Sequence, residues 1–144
     1  MDQQSSQRTL VIVKPDGVRR GLTGQVLARV EAKGYAVVGL RMLQATQEQL
    51  AAHYAEHEGK PFYAPLVEFM SSGPVVVVLV EGQRVIEGFR SLAGATEPTG
   101  AAPGTIRGDL GRDWGQAVQQ NIVHGSDSPE SAAREIKIWF GAQS

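Results

Sequence analysis

A run of six apolar residues, Val75 to Val80, limits the possible folds of this chain more than any other segment. Its apolar residues do not alternate with polar ones, so we predict a strand that is buried on both faces. The run is far shorter than the roughly 20 apolar residues that a membrane-spanning helix requires. The strand is therefore expected to lie in a sheet that is covered by helices.

The segments around this strand complete the predicted sheet. A β-branched run from Thr9 to Val13 predicts a first strand, which ends at the turn-forming sequence Lys14-Pro15-Asp16-Gly17. Tyr35 to Leu43 predicts a second strand, and a short strand near Asn121 to Val123 is the last. Helices are predicted from Thr23 to Gly34, from Thr46 to about Glu58, from Pro61 onward, over Val85 to Leu92 and from Ser128 to Gly141. With the two minor helices treated as excursions, the order is βαββαβ, which predicts a ferredoxin-like α+β fold with a four-stranded antiparallel sheet.

Composition narrows the classes of function. The 144 residues, of which 42% are hydrophobic, suit one soluble domain over residues 1–144. A net charge of −1 argues against a general electrostatic affinity for nucleic acid or anionic membrane. The absence of cysteine excludes disulfides and zinc–thiolate sites. Residues 1–8 are polar and do not form a secretory signal, so we expect a cytoplasmic protein.

The segment from Asn121 to Ser128 carries the strongest indication of chemistry. It is a short apolar strand, then a histidine at the strand end, then a small polar turn that opens a helix. A histidine in this position can project into a cleft, and its neutral imidazole is nucleophilic at pH 7. Taken alone, His124 could equally be a core histidine that is satisfied by a backbone carbonyl.

The other two histidines, His53 and His57, lie four residues apart on a predicted helix, a spacing that can hold a metal. The surrounding segment is strongly polar and offers no obvious third ligand. We therefore interpret both histidines as parts of a solvated helix face.

Three cations are placed to meet a phosphate group. Lys14 follows the first strand, Arg90 ends a helix, and Arg107 lies in residues 93–115, where no periodicity is found. A long irregular segment in a compact domain is usually functional. The planar fork of arginine suits phosphate oxygens. The chain contains no P-loop sequence, so nucleotide phosphates would have to be bound in another way.

These segments together resemble the nucleoside diphosphate kinase family over roughly residues 8 to 140. The matching segments are Thr9 to Gly17, His53 to Phe62, Ser72 to Val76, Pro103 to Asp109 and Asn121 to Ser128. The resemblance implies transfer of the γ-phosphate of a nucleoside triphosphate, mainly ATP, to a nucleoside diphosphate by a ping-pong route. It also implies Mg²⁺ carried by the nucleotide phosphates and a homo-oligomer, for which we favour a hexamer over a tetramer.

The resemblance further implies roles for single residues. His124 matches the family's nucleophile, and its ring would be supported by Glu135, Ser126 and Tyr54. The residues that match nucleotide contacts are Lys14, Phe62, Arg90, Thr96, Arg107 and Asn121, with Phe62 as the aromatic on which the base stacks. No residue matches a direct metal ligand, although Asp127 could touch the water shell of Mg²⁺.

The segment between Arg107 and Asn121 is several residues longer than is usual in the family. The family places an apolar residue there against the far side of the base, and three residues are open for this role: Val118, Ala117 or Trp114. We hypothesise that the addition forms a loop around Gly111 to Gly115 and leaves His124 in place.

Two other functions compete with the kinase. A nucleotide-binding scaffold without turnover would be favoured if His124 or Lys14 were replaced, and both are present. A histidine phosphotransfer domain usually carries its histidine on a helix of a bundle, whereas here the histidine follows a predicted strand.

Overall fold

The computed structural model describes residues 6–141 and contains the predicted four-stranded antiparallel sheet. The strands are β1 (Ser6–Val13), β2 (Ala36–Leu43), β3 (Val75–Gln83) and β4 (Val123–Gly125). Their order in the sheet is β2-β3-β1-β4, which confirms the ferredoxin-like α+β fold. Ile12 of β1 pairs with His124 of β4, so the histidine lies directly beside a central strand.

Helices cover both faces of this sheet. They are α1 (Pro15–Arg19), α2 (Thr23–Ala32), α3 (Gln47–His53), α4 (Tyr63–Met70), α5 (Val85–Ala93), α6 (Ile106–Leu110) and α7 (Pro129–Phe140). Apolar residues of α2, α5 and α6 pack on one face, and those of α3, α4 and α7 pack on the other. All residues from Val75 to Val80 are buried, which confirms the predicted two-sided burial of β3. Within residues 6–141, no helix is long and apolar enough to cross a membrane.

The structure corrects one predicted helix boundary and one segment that was predicted to be irregular. The helix that begins at Thr46 has the predicted capping box but stops at His53, and a 3₁₀ turn follows at Ala55–His57. Residues 93–115 are not irregular throughout, because Thr105 caps the short helix α6 by accepting a hydrogen bond from the Gly108 N–H. A helix of five residues is too short to show a periodicity in the sequence.

The last strand also differs from its prediction. It begins and ends two residues later, so His124 lies in the middle of β4 rather than at its end. The reason is the backbone of Ile122, whose φ of 75° interrupts the extended conformation before Val123.

Candidate functional site

A cavity of about 760 Å³ lies beside β4 and the carboxyl end of β1. Its wall includes six of the predicted site residues: Lys14, Arg90, Thr96, Arg107, Asn121 and His124. Three of these are cations, and no carboxylate of the described chain lines the cavity. The volume is in the range of small-molecule sites, and the excess of positive charge suits an anionic ligand.

The imidazole of His124 is held by a chain of hydrogen bonds that fixes its proton. The Leu10 N–H donates to Ser126 Oγ at 3.1 Å, and this hydroxyl donates to Glu135 Oε1 at 2.7 Å. The same carboxylate oxygen lies 2.9 Å from His124 Nε2. An ionised carboxylate only accepts, so Nε2 carries the proton and Nδ1 keeps a free lone pair.

The ionised state of Glu135 has a physical cause. Burial alone would raise the pKa of this carboxyl group, but the hydrogen bonds that it accepts from His124 Nε2–H and from the Ser126 hydroxyl hold the pKa below its ordinary value. Its position follows from the predicted start of α7, where Ser128 Oγ accepts a hydrogen bond from the Ser131 N–H at 3.0 Å.

A strained turn before β4 places two residues of the cavity wall. Ile122 has a positive φ, which is rare for a β-branched residue. Its N–H donates to Asp16 Oδ2 at 3.1 Å, and its carbonyl accepts from the Lys14 N–H at 2.8 Å. Lys14 Nζ in turn donates to Asn121 Oδ1 at 2.9 Å. Such a conformation costs about 1–3 kcal/mol and persists where the surrounding structure, here the two hydrogen bonds of Ile122, holds the backbone in place. The sequence marked Asp16 only as a turn residue and did not predict this role.

Two cations of the wall are partly withdrawn from water. Burial, and then the charge of Arg107, lowers the pKa of Lys14 to about 8, which Asp16 only partly opposes. Burial, and then the charge of Arg90, lowers the pKa of Arg107 to about 10. Both groups remain charged at pH 7, so Lys14 and Arg107 repel each other. A bound anion would relieve this repulsion.

Arg107 also has a structural role that the sequence did not predict. Its Nε donates to the Asn121 carbonyl at 3.2 Å, its Nη1 to the Gly94 carbonyl at 2.9 Å and its Nη2 to the Val123 carbonyl at 2.6 Å. A guanidinium group has five N–H donors, so two remain for a ligand. The side chain therefore joins the segment after α5 to β4 and still faces the cavity.

The approach of α5 to β4 brings Arg90 to the wall. This approach depends on Gly125, because a Cβ at that position would lie 2.5 Å from the Phe89 ring. Arg90 Nη1 lies 3.4 Å from the Gly125 carbonyl, which leaves the guanidinium largely free at the mouth of the cavity.

Phe62 and Tyr54 are not brought into the cavity wall. Phe62 is 47% exposed beside α4, and its ring contacts the edge of His57 at 5.1 Å. Tyr54 is buried, and its ring lies 4.7 Å from that of His53, which in turn contacts the ring of His124. Burial, and then the charge of Glu135, raises the pKa of the Tyr54 hydroxyl. The roles of these two residues stay predictions.

The interpretation of His53 as a solvated residue is wrong. Its side chain is 6% exposed, its ring centroid lies 4.7 Å from that of His124, and its Nδ1 accepts a hydrogen bond from Trp139 Nε1 at 3.1 Å. His57 is half-buried rather than solvated. The buried face of α3 ends at His53, although the segment that follows, up to Glu58, is polar. One signal could have indicated this contact: Trp139 lies four residues after Glu135 and therefore on the same face of α7.

The long segment after α6 lies on the surface, as predicted. Residues 111–120 form neither helix nor strand. Trp114 is exposed between the guanidinium groups of Arg20 and Arg112, at 5.4 and 4.3 Å from its ring. Val118 packs against the apolar cluster under α4. The end of the segment is anchored, because Asn121 Nδ2 donates to the Thr96 carbonyl at 2.9 Å.

Comparison with known proteins gives consistent findings over almost the whole chain. The sequence profile of the family described as nucleoside diphosphate kinase matches residues 7–144. The nucleoside diphosphate kinase of Streptomyces avermitilis is 60% identical over 136 residues, which cover 94% of this chain and 96% of that protein. The corresponding protein of Saccharopolyspora erythraea is 59% identical over 136 residues, with coverage of 94% and 97%.

Solved structures agree with these relatives. A transition-state mimic of nucleoside-diphosphate kinase from Borrelia burgdorferi, with bound vanadate and ADP, matches with a TM-score of 0.89 and 39% identity, covering 98% of this chain and 90% of that one. A halophilic nucleoside diphosphate kinase from Halobacterium salinarum in complex with CDP matches with a TM-score of 0.89 and 45% identity, covering 96% and 90%.

Proposed function

The chain belongs to the nucleoside diphosphate kinase family, and we propose from this premise that His124 carries the phosphate that it transfers between nucleotides. The observation that supports this role best is the hydrogen bond from His124 Nε2 to Glu135, which leaves Nδ1 with a free lone pair beside a cationic cavity. Among the residues of the wall, His124 alone combines a nucleophilic atom with an ionised partner behind it.

The reaction then consists of two displacements at phosphorus. In the first, the Nδ1 lone pair attacks the γ-phosphorus of a nucleoside triphosphate, the bond to the bridging oxygen breaks, and the nucleoside diphosphate leaves with the electron pair. In the second, a β-phosphate oxygen of another nucleoside diphosphate attacks this phosphorus, and the P–N electrons return to Nδ1. Glu135 stabilises the positive charge that develops on the ring, because Nε2–H donates to its carboxylate.

The remaining residues of the site bind the nucleotide. Lys14, Arg90 and Arg107 meet the phosphates with Thr96, each charge-assisted bond contributing roughly 1.5–3 kcal/mol. Asn121 joins Lys14 in contacting the sugar hydroxyls. Phe62 stacks on the base, and its exposed position requires the base to lie at the outer end of the site. The nucleotides present in the two solved relatives support a nucleotide in this cavity.

Mg²⁺ fits this site as part of the substrate. Carboxylate oxygens are preferred ligands of Mg²⁺, and the wall formed by the described residues has none. The ion is therefore carried by the nucleotide phosphates and its own waters. Asp127, which lines a second cavity together with Arg90, is the carboxylate that would touch this water shell.

The protein acts in this proposal as a cytoplasmic homo-oligomer, with a hexamer favoured over a tetramer. The edge strand β2 exposes a row of apolar residues, of which Met42 is 63% exposed, and the others are Val38 and Leu40. An apolar row on an edge strand is usually covered by a second chain. Light scattering at two protein concentrations tests the assembly, and a monomer at both concentrations would contradict it.

The test of the main proposal is intact-protein mass spectrometry after mixing with ATP. We expect one added phosphate, located on His124 by peptide mapping and discharged by GDP. His124→Gln is expected to form no adduct and to lose nucleotide exchange by at least about four orders of magnitude. Undiminished exchange by a folded His124→Gln protein would overturn the proposal. Binding of ADP without any adduct in the wild type would favour a scaffold instead.

A further inference from the structure

We infer that His53 is a positioning residue for the phosphate transfer, which holds the plane of the His124 ring so that Nδ1 points into the cavity. The inference rests on the proposed role of His124 as the nucleophile. It assigns to His53 and Trp139 a second support of the imidazole, separate from the hydrogen bond to Glu135.

The hydrogen bond between Trp139 and His53 fixes the state of His53. Indole Nε1 only donates, so the Nδ1 of His53 that it contacts at 3.1 Å is an acceptor without a proton. The proton of the neutral ring is then on Nε2. Burial, and then the charge of His124, lowers the pKa of His53 to about 3, so the ring stays neutral at any working pH.

Both supports originate from one face of α7. Glu135 and Trp139 are four residues apart and both buried, so they lie one turn from each other on the same side of the helix. Glu135 bonds directly to Nε2 of the nucleophile, whereas Trp139 acts through His53. A shift of α7 would therefore move both contacts of the His124 ring together.

The two contacts constrain different motions. A single hydrogen bond at Nε2 fixes one atom of the ring but permits the ring to rotate about that bond. The edge-to-face contact with His53, at 4.7 Å between centroids and 72° between planes, opposes this rotation. In-line attack requires a near-attack geometry, and a misplacement of about 1 Å can reduce the rate of an enzyme about 100-fold.

The charge of His53 matters as well as its shape. The groups whose charges act on it are His124, Glu135, Arg134 and Lys14. During attack the His124 ring becomes positive, and a cation in the adjacent position would oppose that change. A neutral ring provides the contact without this repulsion, and its Nδ1 satisfies the buried indole N–H that an apolar ring would leave unpaired.

The test compares two substitutions, each of which keeps one feature of the His53 side chain, either the hydrogen-bond acceptor or the ring. His53→Asn keeps an acceptor near the position of Nδ1 but removes the ring, and His53→Phe keeps a ring but removes the acceptor. For His53→Asn we expect phosphohistidine formation at saturating ATP to slow about 10- to 100-fold. The Kd for ATP should stay within about 2-fold, because the phosphate-binding cations belong to the other elements of the wall.

A second measurement reports the ring itself without any turnover. Side-chain ¹⁵N NMR of His124 should show a single Nε2–H tautomer in the wild type and a mixture with exchange broadening in His53→Asn. His57→Asn, which removes an imidazole outside contact with His124, should leave the His124 tautomer unchanged. Because His53→Phe leaves an unpaired indole, the double variant His53→Phe/Trp139→Phe removes both partners of the hydrogen bond and keeps a ring beside His124, and circular dichroism checks that it is folded.

The outcomes are decisive in each case. A folded His53→Asn protein with the wild-type rate and tautomer would overturn the inference, and so would a loss of rate that is matched by an equal loss of ATP affinity. Failure of the proposed function is distinguishable, because the wild type itself would then form no phosphohistidine, whereas the NMR measurement would still report whether His53 fixes the ring.

Discussion

The two ends of the proposed nucleotide site are built differently. At the histidine end, Ser126 and Glu135 are buried. A chain of hydrogen bonds from the backbone of β1 to α7 determines which of their atoms carry protons. At the base end, Phe62 is exposed, and residues 111–120 have no regular structure.

This difference separates what all substrates share from what distinguishes them. Every nucleotide presents the same phosphates to the buried end, where a small misplacement would slow the chemistry. The bases differ, but each offers a π-face to an exposed aromatic ring. A rigid end and an open end therefore fit an enzyme that serves several nucleotides with one reaction.

Among variants that keep His124, the largest effect is expected at the rigid end, from Glu135→Gln. The variant loses the charge that stabilises the developing imidazolium, so phosphohistidine formation should slow about 100- to 1,000-fold in a single-turnover assay with ATP. Glu130→Gln, an exposed change on the same helix, is the matched control and should keep the wild-type rate. A folded Glu135→Gln protein with more than half of the wild-type rate would contradict the view that the histidine end determines the rate of phosphate transfer.

A pH titration should show the next largest effect. Above pH 8 the free enzyme loses the charge of Lys14, so kcat/KM for nucleotides should fall about 10-fold as the pH rises through this value. In Lys14→Arg the inflection near pH 8 should be absent, and a wild-type profile that is flat there would contradict the role of Lys14.

The same group makes a prediction of opposite sign for stability. The folded pKa of Lys14, about 8, lies below the ordinary value of 10.5, so between these pH values the unfolded chain binds more protons. Its contribution to the free energy of unfolding should therefore rise with pH over this window. Urea titrations of wild type and Lys14→Met at pH 8 and 10 measure this difference.

A smaller effect, confined to binding, is expected at the open end. Phe62→Ala should raise KM for nucleoside diphosphates about 5- to 10-fold, the equivalent of about 1–1.4 kcal/mol, which is the lower part of the range for stacking because the ring is exposed. Because the ring does not touch His124, kcat should change little, and Phe62→Tyr should behave as the wild type. A larger effect on kcat than on KM would show that the base end also influences the chemical step at His124.

The smallest effect is expected from shortening the surface segment. Deletion of residues 112–115 removes the cation–π contacts of Trp114, worth about 0.5–1 kcal/mol each at an exposed site. Asn121 remains anchored to Lys14 and Thr96, so phosphohistidine formation should stay within about 2-fold of the wild-type rate. Loss of the adduct in a folded deletion protein would show that this segment positions His124.

Local patterns in the sequence determined most of the fold. The unbroken apolar run of β3, the capping box at Thr46 and the Ser128-Pro129 start of α7 each act within a few residues, and the structure confirms all three. Six of the predicted site residues also meet at one cavity, which lies beside β4 and the carboxyl end of β1.

Only the tertiary structure decided how these residues are held. His53 lies in a polar stretch that predicts a solvated face, yet it is buried because Trp139, 86 residues away, supplies the donor for its Nδ1. The strain at Ile122 and its bond to Asp16 likewise depend on a partner 106 residues away. Burial of a polar group becomes favourable only when its hydrogen-bond partner arrives from elsewhere in the fold. No pattern within a single segment contains that partner.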